Sequence, residues 1–394
     1  MAALSKTRNM KKIVFLAGIF ILSASLMAQK KQVASTASKN AVQVVPLRPE
    51  NWTARPGALE FTEQDGRSVM KVVARSGVAV AMGVDFTDGT IEFDEEPTDP
   101  SFASFYFRWQ DSLESECFYF RTGRGDGHPE AMDAIQYAPI VKGINYWDLL
   151  PHYQTNASFQ RQSWNHVKLV ISGKQMRAYV NSRNVPTLAV SRLEGNTAHG
   201  AVAFNGQCSI ANLVLRPGQV EGLSPEEGPD PTANDPRYLR HWQVTEPDSI
   251  PKPIDFAYDL MPGKATAWHP IEAARRGLID LTRLYGGTLR RGRCIAWLKT
   301  TITSDKDKRY LMRLGFLDDI WVYINGRLLY VDKNNFGSPI AKDPDGRLSL
   351  DNTQLWLPLK QGENELLIGL VSDFYGWGIT ARLDDPEGLL FSRP

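Results

Sequence analysis

Residues 104–121 read SFYFRWQDSLESECFYFR, and their alternation decides the fold. From Ser104 to Trp109, Phe105, Phe107 and Trp109 set one face against Ser104, Tyr106 and Arg108. From Glu116 to Arg121, Glu116, Phe118 and Phe120 alternate with Cys117, Tyr119 and Arg121. A repeat of two is the side-chain period of a strand with one face in a core. The aromatic set is therefore expected inside, with Arg108, Tyr119 and Arg121 turned outward.

Working outward, the same grammar recurs across residues 43–216. Segments 78–82, 89–93, 164–171, 176–181, 200–205 and 210–215 alternate, and Ser172-Gly173-Lys174 supplies a hairpin turn. So many short antiparallel strands predict a β-sandwich or jelly roll. Residues 236–394 repeat the pattern, with strands at 238–244, 293–303, 310–314, 319–323, 328–331, 353–357, 365–371 and 377–383. Asn325-Gly326 marks a hairpin there. The one helical spacing, from Pro270 to Tyr285, contains Gly277 and predicts a short helix or turn followed by a strand over 278–284. The fold class is all-β: two antiparallel β-sandwich domains.

Between them, residues 217–235 carry Pro217, Pro225, Pro229 and Pro231 among Glu221, Glu226, Glu227 and Asp230. That composition predicts an extended, solvated linker open to proteolysis. At the other end, Lys6, Arg8, Lys11 and Lys12 precede the apolar run Ile13–Leu22 and the small residues Ser23, Ala24, Ser25 and Ala28. This order predicts a signal peptide over 1–28 cut before Gln29, a disordered tether over 29–42, and a secreted or periplasmic location. No later segment is apolar enough to insert in a membrane.

The whole chain has formal charge +1, and losing the four cations of residues 1–28 takes it to −3. A near-neutral chain without a basic stripe argues against nucleic acid as a partner. Cys117, Cys208 and Cys294 show no CxxC or ligand spacing. Cys117 and Cys208 could pair in an oxidising compartment, though three buried thiols are the preferred reading.

Two resemblances follow. Phe105–Arg108, Glu116–Arg121, Asp133–Tyr137 and Trp164–Lys168 make the first region similar to concanavalin A-like lectin/glucanase domains, nearest the laminin-G-like and 3-keto-disaccharide hydrolase types. Asp318–Gly326, Leu359–Asn364 and Gly376–Gly378 make the second resemble the galactose-binding-like jelly rolls attached to many polysaccharide-active enzymes. The resemblance implies a glycan-associated protein with a carbohydrate or polysaccharide partner. It does not separate binding from catalysis.

Sugar recognition needs aromatic faces and fixed polar groups. Arg108, Tyr119, Arg121, Gln136, Tyr137 and Trp147 are the candidates in the first region, and Asp373, Tyr375 and Trp377 in the second. The competing reading of the first set is a polar outer face with an Arg–carboxylate network. Guanidinium groups favour a uronate or sulfated glycan over a neutral one. A hydrolase or lyase would use carboxylates, with Glu116 or Asp133 the candidates beside Arg108 and Arg121; the Glu-x-Asp-x-x-Glu pattern of laminarinases is missing. A third reading is a structural or adhesion module without a sugar site. Asp126, His128 and Glu130 could hold a divalent cation such as calcium, although acids and glycines are also what a long surface loop contains.

Overall fold

The computed structural model describes residues 41–391, apart from 65, 74–76, 99–100, 126–127, 129, 183, 251–260 and 289–291. The expected signal peptide and all but the last two residues of the tether lie outside the described residues.

Among the described residues, four antiparallel sheets make up the fold. The first runs Leu188–Val190, Gln175–Val180, Asn165–Ser172, Gly89–Pro97, Cys208–Pro217, Arg67–Val72 and Leu59–Gln64 in spatial order. The second, which carries the site, is centred on Glu114–Arg121, Phe102–Trp109 and Ala201–Asn205, with Ile135–Tyr137 added beside Glu114–Arg121. Their inner faces meet where the alternation placed them: Phe93 lies 4.8 Å from Phe105 and 5.2 Å from Phe204 between ring centroids. Phe107, Phe118 and Phe120 complete that core.

The third sheet is built around Cys294–Ser304, Gly362–Ser372 and Asp318–Ile324, and the fourth around Lys308–Phe316, Gly378–Leu383 and Thr353–Leu359. Leu298, Ile320, Ile368 and Leu370 of the third pack on Met312, Leu314, Ile379 and Ala381 of the fourth. The first core also takes in Leu278, Leu317 and Leu348 from the second half. The two sandwiches therefore share an apolar seam.

Three local expectations are corrected. Pro270 sits in a strand, His269–Glu272; the expected turn falls at Arg275–Gly277 and the strand after it stops at Leu278–Asp280, because Leu281–Tyr285 is helical, capped by Asp280 accepting from the Arg283 amide at 2.8 Å. The Pro/Glu stretch is mostly exposed, as its composition implies, but it is held down rather than loose. Leu223 is buried against Val170 and Tyr179, the Lys174 amide donates to the Pro225 carbonyl at 2.9 Å, and the Gly228 amide donates to Ser191 O at 2.8 Å. One buried leucine and regular backbone bonds are enough to pin a proline-rich strap that composition alone marks as solvated.

The third concerns Arg108. The strand pairing slips by one residue between Ala201 and Ala203, and Arg108 takes a φ of 50°. This bulge breaks the alternation after Phe107. Trp109 consequently joins Tyr106 on the outer face, ring centroids 5.1 Å apart, instead of Phe107 on the inner one.

The three cysteines are buried free thiols. Among the described residues no helix is long and apolar enough to cross a membrane.

Candidate functional site

The outer face of the second sheet is as informative as its core. Tyr106, Cys117, Tyr119, Ala138, Trp147 and Ala203 form a second apolar cluster there, with Trp109, Ile140 and Tyr375 packed against it. Over this face opens a cleft of about 690 Å3. Its floor is the sheet; its far rim comes from the second half of the chain through Phe336, Arg347, Phe374 and Tyr375.

A hydrogen-bond network fixes the floor. Tyr119 Oη donates to Gln136 Oε1 at 2.7 Å, and Arg121 Nη2 donates to the same oxygen at 2.7 Å and to Tyr119 Oη at 3.0 Å. Gln136 in turn donates through Nε2 to the carbonyls of Trp147 (2.7 Å) and Leu150 (3.3 Å). Gln136 is thus saturated and fully buried, so it orients its neighbours from behind the cleft. Burial raises the Tyr119 hydroxyl well above its ordinary pKa and keeps it a neutral donor.

Arg121 also donates to the Asp133 carbonyl at 2.5 Å, and its Nε lies 3.7 Å from Asp133 Oδ2. Arg347 reaches the same Oδ2 from the other side at 3.2 Å, and its guanidinium lies over the Trp147 ring, 5.2 Å from the centroid.

The aromatic rim is stacked. Phe336 and Phe374 lie nearly parallel, 2° between planes and 6.3 Å between centroids, and each is 43% exposed. Trp147 packs edge-on against Phe336 at 4.7 Å and Tyr375 at 6.0 Å. Two buried carboxyls hold the loop that carries Phe374 and Tyr375. Asp318 Oδ2 accepts from the amides of Asp373 (2.5 Å) and Phe374 (2.9 Å), and Asp148 Oδ2 accepts from Gly376 at 3.0 Å. A side chain at Gly376 would begin 2.4 Å from Asp148 Oδ1, so this close approach needs glycine. Burial pushes Asp148 up to about 7 and Asp318 well above the carboxylate range.

The structure therefore brings Tyr119, Arg121, Trp147 and Tyr375 to one cleft, with Gln136 behind them. It does not bring Arg108 there. That side chain is buried on Thr87 O (2.9 Å), Asp88 Oδ1 (2.8 Å) and Gly173 O (3.0 Å), tying loop ends together. Tyr137 points into the core and donates to Glu116 at 2.6 Å. Trp377 is buried in the second core. Asp373 lies in the loop, with its carboxylate 4.0 Å from Arg293.

Glu116 faces inward on the side of Phe118 and Phe120; burial pushes it up to about 7, against the Tyr137 hydrogen bond. Asp133 sits among Arg121, Arg124 and Arg347. The two acids thus form no pair across the cleft. His128 and Glu130 are exposed, 3.5 Å apart, and Asp126 lies outside the described residues. Among the described residues no group of three potential ligands could hold a metal.

Arg347, Phe336 and Phe374 were not singled out from the sequence. Phe374 adjoins the flagged Tyr375, but nothing in the composition of 335–352 indicates which distant sheet that loop covers.

A second cleft, of about 610 Å3, lies along the seam between the sandwiches. Both of its acids are paired with arginines, Glu194 with Arg192 at 3.5 Å and Asp280 with Arg283 at 3.4 Å, while Arg275 donates to the Gly228 and Pro229 carbonyls and Arg276 adds a fourth guanidinium to the wall. Burial lowers His152 on its wall to about 3, so that imidazole is neutral.

No protein-family model and no curated protein matches the sequence. Among solved structures, a carbohydrate-binding module from Bacillus subtilis is similar at 11% identity and TM-score 0.29, over 42% of this chain and 91% of that one. A β-glucanase of Bacillus licheniformis matches at 11% identity and TM-score 0.32, over 45% of this chain and 98% of that one. A Bacillus subtilis protein of unknown function with a galectin-like fold matches at 14% and 0.31, over 44% and 93%. Likeness at this level assigns no function, and the site is read from its own residues.

Proposed function

We propose that the protein binds a carbohydrate chain in the cleft over the second sheet and does not cleave it. One observation carries this reading. The described wall of the cleft holds eight aromatic residues, among them Trp109, Trp147, Phe336 and Tyr375, and two arginines, but no carboxylate. Aromatic rings cover the apolar faces of a sugar, while Asn145, Asn205, Gln207 and the serines of the wall offer donors and acceptors to hydroxyls. Glycoside hydrolysis needs an acid with a second carboxylate about 5–9.5 Å away, and this wall supplies neither. In the seam cleft Glu194 and Asp280 are each held by an arginine, as in a structural ion-pair seam.

The order of basic, apolar and small residues at the start of the sequence supports export, with mature protein beginning near Gln29. Glycans outside the cytoplasm are the partners this placement offers.

The test is a panel of soluble polysaccharides and oligosaccharides, scored for binding by calorimetry and for new reducing ends or unsaturated products. Binding without product is the expected result. Product formation by the purified protein would overturn the non-catalytic reading.

A further inference from the structure

We infer that the ligand of this cleft is an anionic carbohydrate, one that brings a carboxylate or sulfate group to the Arg121–Asp133–Arg347 cluster. The inference rests on the carbohydrate reading above and goes on to name the ligand class.

Charge balance carries it. The charged side chains on the described wall are Arg121 and Arg347, both cationic. They share one ion-pair partner, Asp133, and Arg124 approaches its other oxygen at 3.9 Å; the other buried acid whose field meets Arg347 is Asp148, which burial pushes up to about 7 and so holds partly protonated. Three guanidinium groups around one carboxylate leave positive charge over. Asp345, 3.7 Å from Arg347, is mostly exposed and water screens it.

Arg347 is 4% exposed, and its Nε is buried without a hydrogen-bond partner. A buried cation is costly unless anions compensate its charge, and a carboxylate shared among three guanidinium groups compensates it incompletely. Burial, and then the charge of Arg121, holds the Arg347 guanidinium below its ordinary pKa. A guanidinium fork matches the paired oxygens of a carboxylate or sulfate, and a cleft lined by one sign of charge draws the opposite sign in.

The experiment titrates the full chain with oligosaccharides of pectate, alginate and heparin, and with the same oligosaccharides after carboxyl reduction or desulfation, following tryptophan fluorescence. The anionic forms are expected to bind about tenfold tighter or more than their neutral counterparts, and to weaken as salt is raised. A preference for carboxyl over sulfate groups, or the reverse, identifies which anion the cluster reads. Equal affinity for neutral and anionic forms overturns the inference and leaves the carbohydrate reading standing. No binding by either set overturns the inference, and the wider panel then decides the carbohydrate reading. A folded Arg347→Gln variant should lose the preference, and one that keeps it also overturns the inference. If that variant does not fold, the wild-type comparison decides.

Discussion

The guanidinium of Arg347, from the second half of the chain, lies over the indole of Trp147, from the first, with Cζ 5.2 Å from the ring centroid. The contact closes one end of the cleft. It also means that neither sandwich alone presents the whole aromatic and cationic surface.

The rim should be separable from stability. Phe374 is 43% exposed, so Phe374→Ala is expected to leave the melting temperature within a few degrees while weakening carbohydrate binding about tenfold. Calorimetric titration of the variant beside the parent checks both halves of the statement.

Asp133 should be a stability residue as well as a site residue. Asp133→Asn leaves Arg121 and Arg347 facing each other without their carboxylate, which is expected to cost about 3–5 kcal/mol. Adding Arg347→Met should recover a large part of that loss, because one of the uncompensated cations is then gone. Denaturant unfolding of the two single variants and the double gives the coupling; additive losses would show that Asp133 does not balance Arg347.

The cores contain acids that should make stability depend on pH. Burial pushes Glu95 up to about 8, against a smaller lowering by the Cys208 thiol, from an ordinary 4.5. A folded-state pKa above the unfolded one means that stability is full below about pH 4.5 and falls as pH rises towards 8. Glu116 and Asp148, each raised to about 7, act in the same direction. Glu95→Gln mimics the neutral acid. It should therefore change the melting temperature little at pH 5 and raise it by about 3 °C or more at pH 8.5. An equal effect at both pH values would contradict the buried titration.

Much of this molecule was legible from alternation alone. Phe105, Phe107, Phe118 and Phe120 read as inward and are inward, and Tyr119 and Arg121 read as outward and line the cleft. Alternation fails where the backbone leaves the regular strand. At Arg108 a bulge with positive φ turns an expected ligand contact into a loop staple. Arg121 reads from the sequence as an outward ligand contact, and it is also tied to Tyr119, Gln136 and Asp133, as in the competing Arg–carboxylate network, so its truncation should cost more than a surface change. The far rim was not legible, because Phe336 and Arg347 reach the cleft through packing between distant parts of the chain.

The central claim is that one cleft, closed from both halves, takes the glycan. Its most direct test is calorimetry of the Phe336→Ala/Phe374→Ala variant against the best-binding oligosaccharide. The account predicts one site per chain in the parent, and a loss of about tenfold or more in the variant with its melting temperature nearly unchanged. Unchanged affinity in a folded double variant would place the glycan elsewhere and contradict the account.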